Sequence, residues 1–98
     1  MKDKVKMTIY LRNKDNPVKS SEIEHSLGIT GGDLRIIINE LRQERIPIGS
    51  CMDGYFFARS RSELQSTIDS LEGREIKIRK ARHGLEDCFA SGDQLNFL

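Results

Sequence analysis

The chain has 98 residues, 37% hydrophobic and 32% charged, and sixteen Lys and Arg against fifteen Asp and Glu leave a formal charge of +1. That suits one domain with an appendage, burying roughly 60–70% of its unfolded surface, and it excludes a polybasic tail. Two cysteines, Cys51 and Cys88, exclude a disulfide-dense scaffold. The opening MKDKVKMTIYLR lacks the apolar core of a signal peptide, and no apolar run reaches about 18 residues. Secretion and membrane spanning are therefore not expected, and a cytoplasmic, reducing setting is. Mean hydropathy is −0.51, yet Leu, Ile, Val and Phe recur at regular spacing, which argues against wholesale disorder. Residues 1–60 carry ten basic and eight acidic groups, and residues 61–98 carry six and seven. Any steering of a charged partner must therefore come from local placement.

The spacing of Val5, Thr8 and Ile9, and of Met7, Tyr10 and Leu11, predicts a first helix over residues 4–14. Asp15-Asn16-Pro17 breaks it, because proline excludes the helical region for the residue before it. Val18 and Lys19 then fit a single extended bridge. A second helix opens at Ser20-Ser21, where Ser21 and Glu24 match a reciprocal capping box. Gly28 stands where a left-handed residue would end that helix, with Ile29 pinning the turn. Thr30 caps a third helix, over residues 30–44, with Leu34, Ile37 or Ile38, and Leu41 as its buried stripe. The spacing of these two helices around Gly28-Ile29-Thr30 is that of a helix-turn-helix.

Asp53-Gly54 lies between two strand-prone runs, Ile46 to Met52 and Tyr55 to Arg59. It predicts a hairpin with positive φ at both central residues, and Pro47 confines the first strand to an edge or to its opening residue. Ser60 with Glu63 matches another capping box, opening a helix over about 60–89. Leu64, Ile68, Leu71, Ile78, Leu85 and Phe89 keep a four-then-three rhythm. Glu75 and Arg82 fall on the same stripe, where they either break it or pair across it. Gly73 and Gly84 leave open one bent helix or two in series.

In this order the segments SSEIEHSLGIT (20–30), LRIIINELRQERIPI (34–48) and DGYFFA (53–58) resemble the winged helix-turn-helix domains of bacterial and phage regulators, the biotin-repressor N-terminal type among them. The resemblance covers about 60% of the chain. It implies an α+β fold with a winged-helix domain over residues 1–60. The helix over 61–90 outruns a domain of that size and is expected to dimerise by meeting a second copy, and residues 91–98 read as a tail. The resemblance further implies binding to double-stranded DNA, the third helix in the major groove and the wing (46–59) on backbone or minor groove. The groove-facing set would be Thr30, Gly31, Gly32, Arg35, Ile36, Asn39 and Arg42. Arg reads guanine and Asn reads adenine, each for about 1–3 kcal/mol of discrimination. Gly31 and Gly32 would let backbone amides approach a phosphate. Ile36 would meet a thymine methyl or a partner chain, and Lys19, Arg45 and Arg59 would contact phosphates. A regulator of transcription or a replication accessory factor follows, acting as a homodimer on paired half-sites.

The competing reading is a protein-interaction module, since Asp33, Glu40 and Glu44 share the third helix with its arginines and Asp53 sits at the wing tip. The tail Gln94-Leu95-Asn96-Phe97-Leu98 resembles the bacterial sliding-clamp-binding peptide, although Phe97-Leu98 reverses its commoner order. Gln94 would hydrogen-bond there while Leu95, Phe97 and Leu98 fill apolar pockets; alternatively the tail folds back as a terminal staple. Residues 74–82, with five bases and one acid, read as a solvated helix face more readily than as a phosphate grip. His25 and His83 are isolated, and no P-loop, GxSxG or dinucleotide fingerprint is present. No enzyme, cofactor or metal site is expected.

Overall fold

The computed structural model describes residues 1–89 and is α+β. Its elements are α1 (Lys2–Tyr10), α2 (Ser20–Leu27), α3 (Gly31–Gln43), β1 (Ile48–Cys51), β2 (Gly54–Phe57) and α4 (Arg61–Asp87). Two compact units divide the chain, Met1–Thr67 and a second that begins at Ile68. Among the described residues, no helix is long and apolar enough to cross a membrane.

α1 begins two residues before the predicted 4–14 span and stops four residues short of its end. Asn13 explains the early stop. Its Oδ1 accepts the amides of Asp15 and Asn16 at 3.0 and 2.9 Å, offering the backbone a turn in place of further helix. Val5 and Ile9, one turn apart, are fully buried, whereas Met7, Tyr10 and Leu11 are exposed.

The capping box expected of Ser21 and Glu24 does not form. Lys19 is the N-cap of α2 and no side chain caps it, because the helix already includes Ser20. The Lys19 carbonyl instead accepts the amides of Glu22 and Ile23 at 3.1 and 3.2 Å. Gly28 closes α2 at φ 66°, the left-handed conformation expected, and the Ile29 amide returns to the Glu24 carbonyl at 3.1 Å. Thr30 then caps α3 as expected, its Oγ1 accepting the Asp33 amide at 3.0 Å. At the far end, the Ile46 amide reaches the Leu41 carbonyl and the Arg45 amide reaches the Arg42 carbonyl, both at 3.0 Å. That closure holds Arg45 at φ 69°, a left-handed position that glycine usually fills.

The hairpin forms, with its turn one residue earlier than Asp53-Gly54 suggests. Cys51 pairs with Gly54, so Met52 and Asp53 make the turn, and Asp53 does not have a positive φ. Gly54 opens β2 at φ 135°, where a Cβ would overlap the Val18 carbonyl. The close approach belongs to the isolated bridge between Val18 and Tyr55, whose amides and carbonyls exchange two 2.8 Å hydrogen bonds. On β1, Gly49 leaves room for the Phe56 ring across from it, which a Cβ would overlap.

Val5, Ile9, Val18, Ile23, Leu34, Ile38, Leu41 and Ile48 make one core shared by α1, α2, α3 and β1. Burying each such side chain contributes roughly 1.5–3 kcal/mol, so these helices form because they share an interior. α4 runs unbroken from Arg61 to Asp87 through both Gly73 and Gly84, as one helix rather than two. Of the Ser60–Glu63 box, one half appears a residue early: Glu63 accepts the Arg59 amide at 2.7 Å, while the Ser60 hydroxyl pairs with that of Ser62 at 3.0 Å. Thr67 is buried and ties the first turns of α4 to β1.

Candidate functional site

α3 is the element on which the expected site residues gather. With Leu34, Ile38 and Leu41 turned inward, about 100° of rotation per residue orders the outward arc. It runs from Arg42 and Arg35 through Asn39, Gly32, Gln43 and Ile36 to Glu40, Asp33 and Glu44. Bases occupy one edge and acids the other. The contacts agree with this order. Arg42 on the basic edge reaches β1, and the acidic edge meets α1, where Lys2 pairs with Glu44 and stands 3.6 Å from Glu40. The hydrogen bond to Glu44, helped by the charges of Glu44 and Glu40, holds the Lys2 ammonium above its ordinary 10.5. Two of the acids that share α3 with its arginines are thus partly answered within the molecule.

The expected site residues separate into two groups. Arg42 is half-buried; its Nε donates to the Ile48 carbonyl at 2.9 Å and its Nη2 to Ser50 Oγ at 3.3 Å. It braces α3 against β1. Arg59 lies beside α1 rather than α3, donating to the Tyr10 carbonyl at 3.0 Å with its guanidinium 4.8 Å from the Phe57 ring centre and 5.1 Å from that of Tyr10. Its positive charge sits at the C-terminus of α1, where the helix dipole favours it. The Thr30 hydroxyl is occupied by its cap.

Arg35, Asn39, Lys19 and Arg45 form the other group. They are exposed, and among the described residues their side chains make no hydrogen bond or ion pair. Ile36 is 58% exposed in the middle of the arc. The two glycines differ. Gly31 is half-buried, with the Glu24 carboxylate 3.4 Å from where its Cβ would stand. Gly32 faces solvent, and a Cβ there would lie 3.8 Å from Thr30 Oγ1, an ordinary contact. Nothing among the described residues requires glycine at position 32.

Gln43 shares the outward face with Asn39 and was not among the expected site residues, although the helical periodicity places it directly opposite the core. The Lys2 pairing carried no local signal, being made across 42 positions of sequence. Gln94, Leu95, Phe97 and Leu98 lie outside the described residues. Among those described, no group of three or more His, Cys, Asp or Glu is placed to hold a metal ion. Comparisons with known protein families, with curated proteins and with solved structures find no match to this chain.

Proposed function

We propose that the chain is a winged-helix protein that binds duplex DNA, with α3 entering the major groove and the β1–β2 hairpin acting as the wing. The element order supports this reading. So does the packing of the hairpin against Val18, which supplies a third, one-residue strand. The observation that carries it is the state of Arg35 and Asn39. Among the described residues, both project from the outward face of α3 without an intramolecular partner, beside Gly32 and Gln43, whereas Arg42 and Arg59 are spent on bracing the fold.

Arg35 and Asn39 are then the base-reading pair, worth about 1–3 kcal/mol each against a wrong base. Gly32 keeps the first turn of α3 clear for a phosphate, and Lys19 and Arg45 contribute charge to backbone contacts. Ile36 meets a thymine methyl. Regulation of transcription or an accessory role in replication is the function class this supports.

Fluorescence anisotropy with a mixed-sequence duplex tests it. Binding should begin near micromolar protein and weaken steeply from about 50 to 200 mM salt. Replacing Arg35 and Asn39 together by Ala should abolish it without lowering the melting temperature. Absence of binding at about 50 mM salt would overturn the reading, and would turn attention to a protein partner seated on Ile36.

A further inference from the structure

We propose that α4 pairs with α4 of a second copy of this chain, antiparallel, about a two-fold axis passing between Ile76 and Lys77. The inference stands apart from the DNA reading and rests on α4 alone.

Beyond Thr67, no side chain of α4 is buried among the described residues. Ile68, Leu71, Ile78 and Leu85 are all exposed, the last two by 69% and 75%. What holds this stretch in helix is slight. The pairs Glu75–Arg79, at 3.4 Å, and Arg82–Glu86, at 3.0 Å, contribute a few tenths of a kcal/mol each, while Gly73 and Gly84 weaken it. Helices in proteins are stabilised mainly by packing their apolar face rather than by propensity.

That face has the seam of a coiled coil. Leu64, Leu71, Ile78 and Leu85 recur every seven residues, and Ile68, Glu75 and Arg82 form the alternate line between them. Gly73 and Gly84 fall on the outer side, with nothing among the described residues within 4 Å of a Cβ at either.

Charge selects the occupant and its direction. A parallel pair sets Glu75 against the partner's Glu75 and Arg82 against the partner's Arg82 inside the seam, and Arg74 against the partner's Arg79 on its flank. All three are like-charge contacts. In the antiparallel register Ile68 meets the partner's Leu85, and Glu75 meets the partner's Ile78. Arg79 then faces the partner's Glu72, and Arg82 lies within reach of the partner's Glu72 and Glu75. Leu71 meets the partner's Arg82, so Glu75 and Arg82 each lie against an apolar residue with an opposite charge within reach, and two-fold symmetry makes each contact twice. A second copy of this helix satisfies both the apolar spacing and the charge pattern.

Sedimentation equilibrium of the full chain tests this, with circular dichroism to confirm that the variants remain helical. The wild type should associate to a dimer with a Kd of about 200 µM or tighter. Arg79→Glu and Glu72→Arg should each weaken the dimer about tenfold, and Glu72→Arg with Arg79→Glu should restore it. In a parallel pair Arg79→Glu would instead meet the partner's Arg74 and tighten association. That outcome overturns the proposal, as does a monomeric wild type, a dimer indifferent to the single changes, or a double variant that stays weak.

Discussion

Ser50 and Thr67 exchange hydrogen bonds across the boundary between hairpin and C-terminal helix: the Ser50 amide donates to Thr67 Oγ1 at 3.0 Å, and the same hydroxyl donates to the Ser50 carbonyl at 3.2 Å. One buried hydroxyl satisfies both backbone groups of a β1 residue, and Arg42 of α3 reaches the side chain of that residue. A strand residue is thus held from two helices. Thr67→Val keeps the shape and removes both bonds, leaving the Ser50 amide and carbonyl without this partner. Urea denaturation should show a loss of about 1–3 kcal/mol, with the hairpin amides exchanging faster. A stability within a few tenths of wild type would mean that water replaces the hydroxyl.

Arg35 and Arg42 lie two turns apart on α3, seven residues in sequence, and should respond oppositely to alanine. Arg42→Ala removes the brace to Ile48 and Ser50 and should cost about 1–3 kcal/mol of stability. Arg35→Ala touches nothing within the described residues and should leave stability within about 0.5 kcal/mol, while weakening duplex binding by about tenfold or more. Thermal melts paired with anisotropy separate the two. Loss of stability in Arg35→Ala would show that its side chain has an intramolecular role.

Arg45 holds a left-handed backbone conformation that costs a non-glycine residue about 1–2 kcal/mol. Arg45→Gly should therefore raise the melting temperature, a gain offset in part by the added freedom of the unfolded chain. If Arg45 contacts a phosphate, the same variant should bind duplex more weakly, with the salt slope reduced by about one. A substitution that stabilises the fold and impairs binding would mark the strain as serving the side chain. Unchanged binding would remove Arg45 from the contact set.

The Lys2 pair with Glu44 and Glu40 gives an alkaline signature. Because its carboxylate partners raise the Lys2 ammonium above 10.5, its contribution is fully present below that pH and is lost as pH rises through the folded value. The melting-temperature difference between wild type and Lys2→Met should be constant from neutral pH up to about 10 and shrink above it. A difference that persists in stronger alkali would assign the effect to the Lys2 methylenes.

The elements whose signals are local were legible in the sequence. Gly28, Thr30 with Asp33, and the strand-prone runs flanking Asp53-Gly54 each carry their own geometry within a few residues. Errors arose where a local motif competed with a contact made elsewhere. Ser21 and Glu24 spell a capping box, but Val18 is drawn into a bridge with Tyr55, and α2 starts directly after it at Ser20. Asp53-Gly54 spells a two-residue turn, but the close approach of Gly54 to Val18 puts the glycine in the strand. At the candidate site, periodicity identified the outward face of α3 and could not tell a free arginine from a braced one. The partners of Arg42 and Arg59 are fixed by packing that brings β1 to α3 and α1 to β2.

The division of charge around α3 has a consequence for orientation. A polyanion meeting this helix is drawn along the edge of Arg35 and Arg42 and turned away along the edge of Glu40, Asp33 and Glu44. The chain's near-neutral total hides that asymmetry from any measure of average charge. A helix with bases all around could roll about its own axis in a groove and still be held. This one presents its bases over a single arc, so a polyanion would be held in one rotational setting and turned away in the others.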